Sequence, residues 1–469
     1  MDFEEEKSKF TSSLGFILTA AGSAVGVGNI WRFPYLAAQD GGGLFLITYL
    51  VLVLTFGSTL LITDIAIGRK TGKHAWEAFG SIRKKWGFLG KLTFLVPTLI
   101  MTYYSVIGGW ILKYVVVYLT GQHSAAAADG FFGEFISDPF SSVFFMLIFL
   151  AVTAFIVYFG VEEGVEKFSK FVMPGLFAIV VGVAIYSLTL VHVDADGVTR
   201  TGMQGLAVYL TPNLEGMTLT GYLGILLDAM SQLFFSLSVS MGIMITYGSY
   251  VKKDVDLNKS VVSIGLFDTG VAFIAGIMII PAIYVFQGMG GMAQGPSLMF
   301  VSLPKVFESM GAAGPVIGAV FFLMILFAAL TSCISILETL VATNVNIFKT
   351  KRKKVTFFIG LFSAIAAVVI CLGYNVFYFE LELPNGSTGQ LLDVVDYISN
   401  SFLMPAIAFL TAIFVGWVIK PGWIAEEMKI GADRFTQEKL YSFMVRFVVP
   451  VIMAILFLQS TGLLNKLLG

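Results

Sequence analysis

The chain predicts an all-α integral membrane protein, and three observations carry that prediction. Of its 469 residues 57% are hydrophobic and 13% charged, whereas a soluble domain carries about a quarter charged residues. Several apolar runs exceed the roughly 20 residues that a helix needs to cross about 30 Å of hydrocarbon. These runs are long stretches of Leu, Ile, Val, Phe and Ala with scattered Gly. A transmembrane barrel would show short segments of alternating polarity instead.

Eleven spans are expected, at 14–37, 42–68, 88–119, 140–160, 167–190, 222–249, 258–286, 312–347, 355–375, 390–419 and 440–465. Basic residues orient them. Arg69, Lys70, Lys73, Arg83, Lys84, Lys85 and Lys91 fall between spans two and three, and Lys349, Lys351, Arg352, Lys353 and Lys354 between eight and nine. Segments 120–139 and 376–389 have no Lys or Arg, and 191–221 has only Arg200. Cytoplasmic loops carry the excess of basic residues, so the N-terminus is expected inside and the C-terminus outside, in a plasma (inner) membrane. Nucleic-acid or anionic-lipid binding is the competing account of such runs, but agreement across alternate loops favours topology. The formal net charge of −1 does not discriminate. Cys333 and Cys371 lie inside apolar runs and read as small buried hydrophobes. The acidic, polar segment 1–10 lacks a signal-peptide pattern. No nucleophile–base set accompanies His74, His123 and His192, which argues against an enzyme.

The first span is not a plain helix. It reads Gly22-Ser23-Ala24-Val25-Gly26-Val27-Gly28-Asn29 at mid-depth, and clustered glycines weaken a helix. The sixth span has a polar interruption at similar depth, Ser236-Leu237-Ser238-Val239-Ser240-Met241-Gly242. Two interruptions five spans apart suggest a 5+5 inverted-topology repeat with discontinuous helices 1 and 6, plus an eleventh helix outside it. The expected organisation is a cytoplasmic segment 1–13, a first block 14–190, an external loop 191–221, a second block 222–419, and a cytoplasmic loop with helix eleven over 420–469. Segment 291–311, broken by Pro296 and Pro304, reads as an external loop with short helices.

Unwound backbone at membrane depth is tolerated only inside protein or along a cavity. Half-helix N-termini attract an anionic group and freed carbonyls coordinate a cation, so an amino-acid carboxylate beside sodium fits. Close helix packing through small residues is the competing account. Ionisable residues at depth are functional candidates, and four stand out: Arg32, Asp64, Asp268 and Asp396. Asp64, one turn before Gly68-Arg69, also reads as a local anchor or ion pair at the cytoplasmic end. Asp268, among hydroxyls and freed carbonyls, suits a hard cation, sodium or a proton. The hydroxyls of Thr331, Ser332 and Ser335 form a cluster whose ordinary role is bonding back to their own helix. Tyr103-Tyr104 six residues before Trp110 reads equally as packing.

The motif from Gly22 through Asn29 to Trp31-Arg32-Phe33-Pro34-Tyr35, followed by Gly41-Gly42-Gly43, resembles the neurotransmitter:sodium symporter family nearly end to end. The resemblance implies a leucine-transporter-like fold and a sodium-coupled symporter importing a small neutral, hydrophobic L-amino acid by alternating access. It implies two sodium sites. The Ala24 carbonyl, Asn29, Ser236, Asp268 and the substrate carboxylate would form one. The carbonyls of Gly22, Val25 and Ala328 with the hydroxyls of Thr331 and Ser332 would form the other. Tyr104 would donate to the substrate carboxylate, and Phe235 would lid the pocket. Ala24, Gly26, Ile100, Ser236, Ser238, Met241, Ser332 and Ile336 would complete it. Arg32 and Asp396 would form the outer gate, and Lys7, Phe10, Ser249 and Tyr250 the cytoplasmic latch.

Departures sharpen the expectation. Monoamine carriers place an acidic residue where this chain has Gly26, so a substrate with its own carboxylate is favoured. Asp268 stands where the family pattern has Asn and could supply the negative charge that chloride provides elsewhere, so chloride-independent transport is expected. Asp64 replaces the usual Glu, Asn346 stands where an acidic partner of the latch is expected, and a twelfth helix is absent. A proton-coupled symporter and an amino-acid-gated channel or sensor remain the alternatives. Beyond substrate and lipid bilayer, neither nucleic acid nor a protein partner is expected.

Overall fold

The computed structural model describes residues 9–193, 197–215, 217–291, 296–384, 386–432 and 434–463. Among the described residues nine helices are long and apolar enough to cross a membrane: Gly43–Thr71, Lys84–Leu119, Pro139–Tyr158, Val161–Leu188, Leu257–Gln287, Gly311–Phe348, Arg352–Leu372, Leu391–Val418 and Glu438–Ser460. These occupy the places of expected spans two to five and seven to eleven. The first span is a pair, Ser13–Ala24 and Val27–Gln39, bent by 65°. The residues expected to form the sixth fold as Leu219–Ser236 and Ile243–Tyr250, separated by six residues of non-helical backbone.

Spans three and eight pack along each other and form the centre of the bundle, with span four against both and span nine against span four. The first half of span one lies against spans five, seven and eight. The second half of span six lies along span two. Both interruptions are thus enclosed by uninterrupted helices, the one setting in which lipid never meets the freed backbone.

The segment expected to be a loop over 191–221 is more ordered than that. It contains a hairpin of Val191–Val193 with Thr199–Thr201 and a helix, Gly202–Leu210. Thr201 and Gln204 cap this helix reciprocally: the Gln204 N–H donates to Thr201 Oγ1 at 3.2 Å, and the Thr201 N–H to Gln204 Oε1 at 2.8 Å. Tyr209 then seats the helix on span seven by donating to the Phe273 carbonyl at 3.0 Å. Segment 376–389 holds a second short hairpin, Leu381–Glu382 with Thr388–Gly389. Short helices Leu298–Ser302 and Leu303–Ser309 fill the segment broken by prolines.

Candidate functional site

Helix Ser13–Ala24 ends because Val25 and Gly26 are extended, and the next helix begins at Val27. The Gly26 N–H donates to Asn29 Oδ1 at 3.1 Å, so Asn29 closes the break from its far side. A side chain at Gly26 would reach 3.1 Å from Ser332 Oγ and 3.3 Å from Tyr104 Oη. Glycine therefore keeps the freed backbone in contact with spans three and eight. In the second break Ser238, Ser240 and Gly242 all have left-handed φ, at 52°, 62° and 80°. Asp64 holds that geometry, its Oδ2 accepting the Ser240 N–H at 2.8 Å. This replaces the expected ion pair for Asp64: at 3% exposure it lies in the interior, and its partner is backbone.

Asp268, on span seven, joins the two breaks. Its Oδ1 accepts from Asn29 Nδ2 at 2.7 Å and from Ser236 Oγ at 2.8 Å. Its Oδ2 is buried and has no hydrogen-bond partner among the described residues. A buried carboxylate oxygen left bare costs far more than a paired one, so this atom calls for a cation or a proton. The Asp268 carboxylate and the Ser236 hydroxyl with the adjoining helix-end carbonyls offer oxygens and no sulfur, which suits sodium and not a thiophilic metal. Among the described residues no cluster of three His, Cys, Asp or Glu is present.

The other cation set predicted from the motif comes together in part. Gly22 faces the Cβ of Thr331 and the sulfur of Met173. Thr331 bonds back to its own helix, donating to the Ala328 carbonyl at 3.0 Å, the ordinary role of such a hydroxyl. Ser332 does not. Its Oγ reaches across to the Ser23 carbonyl at 3.2 Å, and Ser238 Oγ donates to the same carbonyl at 2.9 Å. Ser23, absent from the predicted set, thus ties both breaks to span eight.

One cavity lies between the breaks. All ten predicted substrate residues line it: Ala24, Gly26, Ile100, Tyr104, Phe235, Ser236, Ser238, Met241, Ser332 and Ile336, joined by Ser23, Val27, Gly28, Asn29 and Ile243. Its volume is about 30 Å³, room for a water or two. An amino acid enters only when the walls move. Phe235 also lines a second cavity of about 500 Å³ that contains Arg32, Asp228 and Asp396, so its ring divides the two spaces.

Arg32 and Asp396, expected to form the outer gate, both face that larger cavity, and among the described residues they do not pair with each other. Arg32 Nη2 donates to Ser231 Oγ at 2.9 Å, and Asp396 Oδ1 accepts from Asn400 Nδ2 at 2.5 Å. The opposite side is shut. The Phe10 N–H donates to the Tyr250 carbonyl at 3.2 Å, and the Phe10 ring packs on Phe16, Tyr247 and Tyr250. Tyr250 Oη donates to Glu338 Oε1 at 2.8 Å, and Arg352 pairs with both oxygens of Glu338. Ser249 donates to the Thr246 carbonyl at 2.6 Å and lies 3.4 Å from His74 Nδ1. Burial, then the nearby Arg352, push His74 down to about 4, so its ring is neutral. Lys7 lies outside the described residues. The acid sought near Asn346 is Glu338, fully buried within span eight. An acidic residue inside an apolar run was the available signal for it.

Two interrupted helices enclosing a cavity at mid-bundle define a secondary transporter. The sequence matches the model of the sodium:neurotransmitter symporter family over residues 7–129 and 134–467, and the chain belongs to that family. A sodium-dependent transporter of Bacillus subtilis, YhdH, is 33% identical over 98% of this chain and 99% of its own length. One from Haemophilus influenzae is 30% identical over 97% and 98%. The rat sodium- and chloride-dependent GABA transporter 2 is 24% identical over 88% of this chain and 73% of its own. Among solved structures, MhsT in complex with L-phenylalanine superposes with a TM-score of 0.83 at 36% identity, covering 97% of this chain and 99% of that one. The protein is a sodium-dependent, multi-pass membrane symporter and not an enzyme.

Proposed function

We propose that this transporter imports a neutral, apolar L-amino acid with two sodium ions, without chloride, from the Arg32 side of the bundle to the Phe10 side. The observation that carries the reading is Asp268, whose Oδ2 is bare and whose Oδ1 accepts from Asn29 and Ser236, walls of the cavity that Tyr104, Ile100, Met241 and Ile336 also line. MhsT was solved with L-phenylalanine, which supports an amino-acid substrate. The first sodium ion would bind at Asp268, Asn29, Ser236 and the Ala24 carbonyl, completed by the substrate carboxylate. The second would bind between Gly22, Val25, Ala328, Thr331 and Ser332. Gly26 leaves no side chain to pair an amine, so the substrate brings its own carboxylate.

Shared ligation makes sodium and substrate raise each other's affinity by the same factor. A ligand shifts a conformational equilibrium only by its differential affinity for the two states, so sodium must favour the form with Arg32 and Asp396 apart. Substrate binding behind Phe235 then permits that side to close and the Phe10–Tyr250–Glu338 contacts to part. In this reading the basic loops, and Phe10 with them, face the cytoplasm.

Purified protein in vesicles tests this. Labelled leucine, valine, methionine and aromatic amino acids should include one that accumulates only under an inward sodium gradient, with chloride replaced by gluconate making no difference. Uptake that follows a proton gradient in sodium-free medium would assign Asp268 to proton coupling, and downhill flux indifferent to sodium would leave no symport.

A further inference from the structure

Spans four and nine pack on each other and together line an apolar groove of about 700 Å³, within the size range of ordinary ligand clefts, about 300–1,000 Å³. Leu147, Phe155, Tyr158, Phe357, Gly360 and Leu361 are among its walls. These side chains face outward: Phe155 and Phe357 are each 65% exposed. The groove shares no wall residue with the cavity lined by Asn29 and Ser236 or with the one lined by Arg32.

One end of this trough is basic. Span nine begins at Arg352, and Lys349, Lys351, Lys353 and Lys354 around that start are exposed. Arg352 is committed to Glu338 and, at 3.0 Å, to the Val157 carbonyl, which fixes the mouth where the two spans converge. The lysines are not committed, none of the four being in an ion pair among the described residues. Lys353 Nζ sits 5.0 Å from the ring centre of Tyr158, itself a wall of the groove, and Lys354 Nζ 6.0 Å from that of Phe358, next to the wall residue Phe357. Two acids follow Tyr158 in the chain: Glu163 is held by Lys167 at 3.2 Å, while Glu162 is exposed and in no ion pair among the described residues, so the basic end is set by the four lysines against this one carboxylate. An outward-facing apolar trough ending in ammonium groups has the polarity of an acyl chain with a phosphate at its head.

We propose that this groove is a binding site for an anionic phospholipid, an acyl chain lying between Phe155, Leu361 and Gly360 and the phosphate resting on Lys353 and Lys354. Lysines near a membrane surface attract anionic lipid by roughly fivefold each, and the groove adds the fixed position that a diffuse basic surface lacks.

Native mass spectrometry of the purified full chain with added lipid tests it. Wild-type protein should retain dioleoyl phosphatidylglycerol over dioleoyl phosphatidylcholine, and a six-carbon phosphatidylglycerol should be retained no better than the choline lipid. Lys353→Gln with Lys354→Gln should cut the preference about 25-fold, whereas Lys84→Gln with Lys85→Gln should leave it intact. Gly360→Trp, which fills the trough, should lose both long-chain lipids while keeping a sodium-induced rise in melting temperature. If that variant does not fold, the lysine pair and the chain-length comparison decide the matter. Equal retention of the two headgroups, a preference that survives the lysine substitutions, or retention of the six-carbon lipid would overturn the proposal. So would a lipid-free dimer that Gly360→Trp dissociates, since a second copy would then be the occupant.

Discussion

Asp268 and Glu338 are both buried carboxylates deep in the bundle, and they are satisfied in opposite ways. Glu338 uses both oxygens, accepting from Tyr250 and pairing with Arg352. Asp268 fills one oxygen with Asn29 and Ser236 and leaves the other bare. A carboxylate completed by the protein holds a conformation, whereas one completed from outside reports whether a ligand has arrived. The surroundings follow the same division. The Glu338 side is sealed by Phe10 and its aromatic neighbours, while the Arg32 side holds a cavity of about 500 Å³.

The sharpest way to break this contrast is Glu338→Gln, which strands the charge of Arg352. Removing one partner of a buried pair costs about 3 kcal/mol at the low end of the usual range, the low end applying because the Arg352 side chain keeps 21% exposure. Sodium-free melting temperature should fall accordingly, and Arg352→Met in the same chain should recover part of the loss. Asp268→Asn should do the reverse. The protein should melt no lower without sodium, but sodium affinity should drop by about 2 kcal/mol, roughly 30-fold, the value of a lost charged interaction. A sodium titration of the melting temperature measures it, and an unchanged midpoint would remove Asp268 from the ion site.

A second clasp on the sealed side gives a smaller effect. The Thr11 N–H donates to Glu166 Oε2 at 2.8 Å, and Lys170 Nζ pairs with Glu166 Oε1 at 2.7 Å. A Cβ at Gly15 would stand 1.8 Å from that Oε1. Gly15→Ala should therefore push Glu166 off Thr11 at about 1.5 kcal/mol, as overpacking does, and speed protease cleavage near the N-terminus. The smallest effect down to pH 5.5 is pH-dependent. The folded protein holds His74 at about 4 against 6.5 for the free side chain, so the unfolded chain binds the proton first as pH falls. Stability is complete above about 6.5 and drains away down to about 4, with about 1.4 kcal/mol lost by pH 5.5. His74→Gln should remove that component of the acid-side decline in melting temperature.

Much of this was legible in the sequence, because apolar length and clustered glycine are local signals. The nine long helices, the bend at Val25–Gly26 and the break after Ser236 all lie where composition put them. The ten residues proposed to bind substrate came from the family resemblance, and no periodicity would have grouped them around one cavity. What was missed depends on contacts distant in the chain. Asp64 looked like a surface anchor because Arg69 follows it, yet Arg69 is taken by Glu427 at 2.7 Å and Asp64 by a backbone N–H 176 residues away. The helix at Gly202–Leu210 was signalled by the capping pair Thr201 and Gln204 and by the apolar run Leu206 to Leu210, too short to read as a span. Glu338 and Asp228 were passed over although each is an acid within an apolar run.

Ser238 and Ser240 are L-residues held in left-handed backbone, a conformation that costs on the order of 1–3 kcal/mol apiece. Left alone, those six residues would gain by winding into the helices on either side. A continuous sixth span would hide its carbonyls within itself, and the chain would relax into an ordinary bundle with nothing to offer an ion. The Ser240 N–H held by Asp64 keeps the polypeptide from healing its own gap. Asp64 is in this sense a guard against an inactive fold, and losing it should produce molecules that are well formed, thermally robust and unable to work.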